Sequence, residues 1–326
     1  MADQIKSINP ATEEINAAFT PHQTQDIEDA IIKSVDGFKL LKTWSYEKRK
    51  DAMLNAAKIL EDNNDKYATI LTQEMGKPLT SAKAEVAKCA DLCRHYAEHA
   101  TTYLADRIIE TNASQSYVRY LPMGPVLAVM PWNFPFWQAF RFAVPALMAG
   151  NTGILKHASN VPQSALAIES ILTEAGFHPS MFQALLISSN DVASILEDPR
   201  IRAATLTGSE GAGSAVAATC GKHLKKTVLE LGGSDPFIIM PSADLDQAIE
   251  KATLGRINNN GQTCVAAKRY IIHADIYDEV RDRLIDTFKN LKVGDPMNEE
   301  TQVGPLSMAQ IRDELGQQVQ DTLKAG

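Results

Sequence analysis

The 326-residue sequence is poor in cysteine, in aromatic residues and in basic charge, and these shortages exclude several classes of protein. Four cysteines without a repeated spacing do not make the dense framework of a disulfide-stabilised secreted domain. With 32 basic against 40 acidic residues, the chain lacks the positive surface that sequence-independent nucleic-acid binding requires. The remaining composition, 44% hydrophobic, is that of a globular protein, and this length predicts two or three domains.

The sequence also lacks an unbroken apolar run long enough to cross a membrane. The longest stretch with little charge extends from Arg119 to Lys156 and contains only Arg141, but five prolines interrupt it. The first residues, MADQIKSINPATEE, contain no apolar segment of the kind found in secretory signals. We therefore expect a cytoplasmic protein with reduced thiols, without a membrane or nucleic-acid partner.

Short apolar segments alternate with helix-like segments along the middle of the chain. The first hundred residues predict helices, because apolar residues such as Ile27, Ile31, Phe38 and Leu41 recur at helical spacing. Strands are predicted at 125–130, 153–155, 182–187, 203–206 and 227–229, and helices at 137–148, 161–175, 191–197 and 211–220. This order predicts an α/β fold with a doubly wound parallel sheet, which binds ligands at the carboxyl ends of its strands.

Cys89, Cys93, His95 and His99 are four potential zinc ligands that lie close together in the sequence. On a helix each residue advances by about 100°, so the two thiols share one face and the two imidazoles lie nearly opposite. One tetrahedral ion cannot collect all four side chains. We therefore predict an ordinary helix here and no metal site.

Three short segments contain the residue types that a chemical mechanism needs: PWNFP at 131–135, LELGG at 229–233 and GQTC at 261–264. Taken singly, they are typical of a turn, a strand end and a small buried thiol. Together and in this order they resemble the NAD(P)-dependent aldehyde dehydrogenase superfamily, over essentially the whole chain. The resemblance is nearest to the succinate-semialdehyde dehydrogenase group, on LKHASNVP at 155–162 and on Arg141.

The resemblance implies three catalytic residues. Cys264 corresponds to the nucleophile, which forms a thiohemiacetal because an aldehyde has no leaving group, and then a thioester after hydride loss to nicotinamide. Glu230 corresponds to the general base that activates water for hydrolysis of the thioester. The side-chain amide of Asn133, with the backbone N–H of Cys264, corresponds to the oxyanion hole.

The resemblance also implies a dinucleotide site. The loop TGSEGAG follows a predicted strand and opens a helix, where backbone N–H groups and the helix dipole favour a pyrophosphate. Within this loop, Gly208 and Ser209 correspond to cofactor-binding residues of the family, and Trp132 corresponds to a residue beside the cofactor.

Lys156 and Ser159 bear on the choice between NAD and NADP. Lys156 corresponds to a lysine near the adenosine ribose, and many NAD-preferring relatives carry a glutamate three residues later. The serine at that position does not repel a 2′-phosphate. We therefore predict that NADP is accepted, alongside or in preference to NAD.

Arg141 corresponds to the arginine that meets the distal carboxylate of the substrate in semialdehyde-oxidising relatives, and a guanidinium suits bidentate carboxylate binding. The simpler alternative is a helix arginine paired with a nearby acid. Phe134 and Phe140 are predicted pocket walls. Some succinate-semialdehyde enzymes carry a second arginine six residues before the nucleophile, where this chain has Asn258; Arg256 is two positions away.

The resemblance assigns residues 1–110 and 123–230 to a dinucleotide-binding domain. Residues 111–122 form a small β arm used in oligomerisation, and residues 231–326 a second α/β domain that carries catalysis. Full-length relatives are longer, so we expect a C-terminally truncated chain whose catalytic domain is incomplete. The full-length protein is expected to be a homodimer or homotetramer that acts on a small aldehyde.

Several alternatives stay open at this point. A broad-specificity aliphatic or glutarate-semialdehyde dehydrogenase has the same motifs, and this chain alone could be a non-catalytic remnant. A cysteine hydrolase normally pairs its thiolate with a histidine, and none lies near Cys264 in the sequence. A CoA-acylating relative does not need the base that Glu230 supplies.

Overall fold

The computed structural model describes residues 4–326. The chain starts with an antiparallel hairpin of β1 (Ile5–Ile8) and β2 (Ile15–Phe19). Four helices follow: α1 (Thr24–Leu41), α2 (Tyr46–Asp62), α3 (Asn64–Met75) and α4 (Leu79–Tyr103). The helical prediction for the first hundred residues is therefore right for these four helices and wrong for the hairpin, whose strands are short and largely exposed.

The predicted arm is a second, smaller hairpin that begins earlier than the sequence indicates. It consists of β3 (Arg107–Ile108) and β4 (Tyr117–Val118), paired antiparallel. Asp106 and Arg119 form an ion pair at its base, with Nε of the arginine 2.9 Å from Oδ1 of the aspartate.

Five parallel strands form the central sheet. The elements are, in chain order, β5 (Val126–Met130), α5 (Pro135–Met148), β6 (Gly153–His157), α6 (Pro162–Glu174), β7 (Phe182–Ala184), α7 (Val192–Glu197), β8 (Ala203–Thr207), α8 (Glu210–Lys222) and β9 (Lys226–Glu230). The strand order is β7-β6-β5-β8-β9. One hydrophobic cluster packs α2 to α6 on one face of the sheet, and a second packs α1, α7 and α8 on the other. This arrangement confirms the doubly wound prediction.

The strand order places a topological switch point between β5 and β8. The chain runs from β5 to β6 and β7 on one side, and then returns to β8 on the other side of β5. The loops that leave the carboxyl ends of these two strands diverge and leave a crevice between them, where open α/β sheets bind their ligands.

The last hundred residues form a smaller α/β unit. Its elements are β10 (Asp235–Ile239), α9 (Leu245–Ile257), β11 (Ala267–Ile272), α10 (Tyr277–Lys289) and α11 (Ala309–Ala325). β10 and β11 are parallel, and α9 and α10 cover them through a small core that includes Ile239, Ile249 and Val280. Within the described residues, no helix has both the length and the apolar character needed to span a bilayer.

Candidate active site

A left-handed turn presents the segment that contains Cys264. Asn259, Asn260 and Gly261 have φ of 58°, 58° and 74°, in the region that glycine and asparagine tolerate best. The amide of Asn259 donates to the carbonyl of Asn133 at 2.7 Å and to that of Gln262 at 3.2 Å. This turn therefore ties the segment before the cysteine directly to the Asn133 loop.

The Asn133 loop lies between the central strand β5 and helix α5. The side-chain Nδ2 of Asn133 donates to the carbonyl of Gln262 at 3.0 Å, and its Oδ1 accepts from the N–H of Phe134 at 3.0 Å. An amide nitrogen carries two hydrogens, and the bond to Gln262 uses one of them. The other remains for an oxyanion.

One cavity of about 470 Å³ brings together five of the predicted site residues. Its lining includes Cys264, Asn133, Trp132, Gly208 and Ser209. The cysteine is partly exposed and lines the cavity. The predicted nucleophile and the predicted oxyanion donor therefore share one space with the glycine-rich loop.

The glycine-rich loop ends at the start of α8. Ser209 is the N-cap of this helix, and its side chain accepts from the N–H of Ala212 at 3.3 Å. A Cβ at Gly213 would lie 2.6 Å from Leu231 Cδ2, so glycine allows α8 to pack closely on the segment after β9. Gly208 and Ser209 line the cavity directly before α8, and a helix N-terminus beside a cavity suits the pyrophosphate of a dinucleotide.

Lys156 and Ser159 lie at the end of β6 and in the turn after it. Lys156 is only 9% exposed, it forms no ion pair within residues 4–326, and its burial lowers the pKa of its ammonium. A buried ammonium without an acidic partner fits a ribose hydroxyl or a phosphate. Ser159 is exposed, and neither side chain lines the cavity that contains Cys264.

Glu230 and Arg141 pair with each other beside that cavity. Arg141 Nη2 lies 3.0 Å from Glu230 Oε1, and the two side chains are 40% and 52% exposed. Glu230 ends β9 on the same face as Val228 and Lys226, which line a separate cavity of about 360 Å³ together with Arg141. The structure therefore does not bring Glu230 or Arg141 into the space around Cys264.

The structure corrects the prediction of Phe140 as a pocket wall. Phe140 is 0% exposed and belongs to the hydrophobic core, with its ring 6.0 Å from that of Phe136. Phe134 is partly buried and packs against the ammonium of Lys77 instead of lining the cavity. Apolar residues occur on both faces of α5. Their spacing along the helix therefore does not distinguish residues that pack in the core from residues that line a pocket.

Two residues, Asn258 and Arg256, lie at or near the position of the second carboxylate-binding arginine. They line different cavities. Arg256 lines the cavity around Cys264, and its Nη1 donates to the carbonyl of Gly261 at 3.3 Å. Asn258 lines a different cavity, near Pro78. Within residues 4–326 the guanidinium of Arg256 forms no ion pair.

The four potential metal ligands on α4 lie on two faces, as their spacing predicts. Cys89 and Cys93 are both 0% exposed in the core, whereas His95 and His99 are exposed. The imidazole Nε2 of His95 lies 2.9 Å from the hydroxyl of Tyr103. The described part of the chain contains no group of three or more potential ligands that could hold a metal ion.

Sequence reasoning did not identify the residues that support the nucleophile. The three are Asn259, Asn260 and Lys268, and Nζ of the lysine donates to the carbonyls of Gly233 and Cys264 at 2.7 Å each. The run Asn-Asn-Asn-Gly before the cysteine was the available signal, because such a run favours left-handed backbone. The lysine gave no sequence signal.

Comparison with known proteins gives a consistent result. The sequence model of the aldehyde dehydrogenase family matches residues 1–326. A Mycobacterium avium protein named succinate-semialdehyde dehydrogenase (NADP(+)) is 52% identical over 326 residues, covering 99% of this chain and 69% of the relative. A Mycobacterium ulcerans protein named succinate-semialdehyde dehydrogenase (NADP(+)) 1 is 52% identical, covering 99% and 71%.

A solved structure is also similar to this chain. The succinic semialdehyde dehydrogenase from Streptococcus pyogenes, in complex with NADP+ as the cofactor, is 38% identical. It superposes with a TM-score of 0.96, covering 98% of this chain and 71% of that one.

Proposed function

This chain belongs to the aldehyde dehydrogenase family, and from that premise we propose that it oxidises succinate semialdehyde to succinate with NADP+. The observation that supports this most directly is the single cavity that contains Cys264, Asn133 and the N-terminus of α8. The names of the similar mycobacterial and streptococcal proteins support the choice of substrate and cofactor.

The proposed chemistry takes place at Cys264. Its thiolate adds to the aldehyde carbon, and the free hydrogen of the Asn133 amide, with the Cys264 backbone N–H, stabilises the oxyanion. Bound NADP+ would supply the acceptor for the hydride of this adduct, and loss of that hydride would leave a thioester on Cys264. Water activated by Glu230 hydrolyses the thioester and releases the acid.

In the structure Glu230 pairs with Arg141, so its side chain must rotate about the end of β9 to act near Cys264. We propose that the carboxylate of the substrate takes over the arginine. A guanidinium has five N–H donors, more than one carboxylate can use, so donors remain for a bidentate contact with the substrate.

Lys156 and Ser159 support NADP+ over NAD+. The ammonium of Lys156 is buried without an acidic partner in the described residues, and the neighbouring turn has Ser159 where a carboxylate would repel a phosphate. A 2′-phosphate of charge about −2 is therefore attracted and not repelled at this end of the cofactor site.

We also propose the organisation of the chain around this chemistry. Residues 1–110 and 123–230 bind the cofactor, residues 231–326 contribute catalysis, and the arm at 111–122 takes part in assembly into a homodimer or tetramer. All four cysteines are free, which favours a reducing, cytoplasmic location.

Two substitutions test the mechanism through the absorbance of reduced nicotinamide. We expect Cys264→Ser to abolish turnover and leave NADP+ binding unchanged, because the serine hydroxyl is a much weaker nucleophile.

We expect Glu230→Gln to release about one equivalent of NADPH per chain in a fast phase and then to turn over slowly, since only thioester hydrolysis needs the base.

The same absorbance is measured for the wild-type protein with three aldehydes: succinate semialdehyde, glutarate semialdehyde and butanal. Each aldehyde is assayed with NADP+ and with NAD+. A cysteine hydrolase would give no NADPH signal with any of them. Absence of turnover in the wild type, or full turnover in Cys264→Ser, would contradict the proposed function.

A further inference from the structure

A lysine–glutamate pair is buried next to the active site and takes no part in the proposed chemistry. Lys77 follows α3 and Glu85 lies on α4, and they are 0% and 4% exposed. Their ammonium and carboxylate form a direct ion pair, and burial lowers the pKa of Lys77. Buried pairs of this kind often stabilise a fold no better than apolar residues do, so the pair calls for a second explanation.

The carboxylate of Glu85 caps the helix that follows the Asn133 loop. Helix α5 starts at Pro135, which has no N–H, so its first free donors are those of Phe136 and Trp137. Both donate to Oε1 of Glu85, at 3.0 and 2.9 Å. A side chain of α4 therefore fixes the start of α5.

Lys77 and its neighbour connect this cap to both catalytic loops. Nζ of Lys77 lies 4.2 Å from the ring centroid of Phe134, the residue after Asn133. The carbonyl of Gly76 accepts from Nδ2 of Asn260, in the turn before the cysteine, at 2.8 Å. Two adjacent residues therefore contact the loop of the oxyanion donor and the turn that carries the nucleophile.

We propose that Lys77 and Glu85 are positioning residues that hold the amide of Asn133 at its working distance from Cys264. This inference rests on the proposed function. Neither residue lines the cavity, so they act through Phe134 and the start of α5. A misplacement of about 1 Å at such a site lowers the rate by about 100-fold, because an oxyanion donor works only over a narrow range of distances.

The test is a cycle of variants assayed with succinate semialdehyde and NADP+. The double variant Lys77→Met/Glu85→Gln removes both charges together and so leaves no lone charge in the interior. We expect its kcat to fall about 10- to 100-fold, with KM for the aldehyde and Kd for NADP+ within about threefold of wild type. In the Asn133→Ala background the same change should lower kcat by less than about threefold, because no amide remains to be positioned.

Glu74→Gln is the matched control. Glu74 is also 0% exposed, and it caps α6 by accepting from the N–H of Gln163 at 2.8 Å and of Ser164 at 2.9 Å. It contacts neither the Asn133 loop nor the cavity. We expect it to lower Tm as much as the double variant does and to keep kcat within about twofold of wild type.

A second readout does not depend on turnover. We expect amide hydrogen exchange in residues 131–140 to rise in the double variant and to stay unchanged in Glu74→Gln. If the double variant does not fold, Phe134→Leu, which removes the ring that Lys77 contacts and leaves both charges paired, goes through the same measurements.

The outcomes separate the two proposals. Three results would each overturn the positioning role. The first is a wild-type kcat in the double variant, and the second is a loss of kcat from the double variant that is equally large in the Asn133→Ala background. The third is unchanged hydrogen exchange at residues 131–140. An inactive wild-type protein would instead contradict the proposed function, and the exchange measurement would still decide the role of the pair.

Discussion

Ser159 is an exposed residue whose replacement should change the preference for the cofactor without disturbing the fold. We expect Ser159→Glu to lower kcat/KM for NADP+ by about tenfold or more, because the new carboxylate repels the 2′-phosphate. The value for NAD+, which has no phosphate there, should change by less than about threefold. Ser159→Gln is the neutral control of the same size, and an equal loss in that variant would assign the effect to shape.

Arg141 and Arg256 are the two candidates for binding the carboxylate of the proposed substrate. We expect Arg141→Ala to raise KM for succinate semialdehyde by about tenfold or more and to change KM for butanal by less than threefold. Loss of the partner of Glu230 should alter kcat equally for both aldehydes. If Arg256→Gln produces the selective effect instead, the carboxylate binds in the cavity around Cys264.

For single residues, the sequence predicts which residues form the candidate site better than it predicts where their side chains point. Cys264, Asn133 and Gly208 follow loops or strand ends that meet at one crevice, so their convergence follows from the predicted topology. The direction of Glu230 does not, because the pleat of β9 places it on the face of Lys226 and Val228, where it pairs with Arg141, and the sequence does not tell which face borders the crevice. Phe140 is buried for a related reason, since apolar residues surround α5.

His157 connects two elements, the end of β6 and the start of α5. The N–H of Ala158 donates to its Nδ1 at 2.9 Å, so the imidazole is neutral, with its hydrogen on Nε2 donating to the carbonyl of Pro135 at 2.9 Å. Burial lowers the pKa of His157 from 6.5 to about 4. Between these values the unfolded chain takes up a proton that the folded chain excludes.

Folding stability should therefore fall as the pH decreases through this window. The contribution of His157 is complete above pH 6.5, and about 3 kcal/mol of it is lost as the pH approaches 4. Urea unfolding of wild type and of His157→Gln between pH 7.5 and 4.5 isolates this residue as the difference between the two curves. Parallel curves would contradict the prediction.

The sequence predicts the bounds of helices and strands well where they have a strong apolar pattern, and it misses elements that have none. The strand prediction at 125–130 and the observed β5 agree to one residue, because the strand is buried on both faces. The N-terminal hairpin is missed because β1 and β2 bury few side chains, and its turn depends on a bond from the N–H of Glu13 to the carbonyl of Asn9.

Of the apolar surface that residues 4–326 expose, two parts bear on the proposed assembly. One is the hairpin of β3 and β4 with the rest of the proposed arm, where Ile108 and Leu121 are 64% and 74% exposed. The other is on α11, a helix with no buried residue, where Val319 and Leu323 are 50% and 70% exposed. Exposed apolar surface of this kind is typical of association sites.

We expect light scattering to show a dimer or tetramer that dissociates on Leu121→Glu, because a charge in an apolar contact loses its hydration. Leu323→Glu makes the same chemical change on α11, and it should leave the mass unchanged if the arm mediates assembly. Dissociation by the α11 variant alone would place the contact on that helix instead.

Burial divides the four thiols of this chain into one that reagents can reach and three that they cannot. Cys89, Cys93 and Cys220 are each 0% exposed, and burial raises the pKa of Cys93 to about 12, whereas Cys264 opens into the cavity. A maleimide dye should therefore attach once to each folded molecule. The dye-to-protein ratio of a preparation then counts the molecules whose Cys264 is intact, and oxidative damage should begin at the sulfur proposed as the nucleophile.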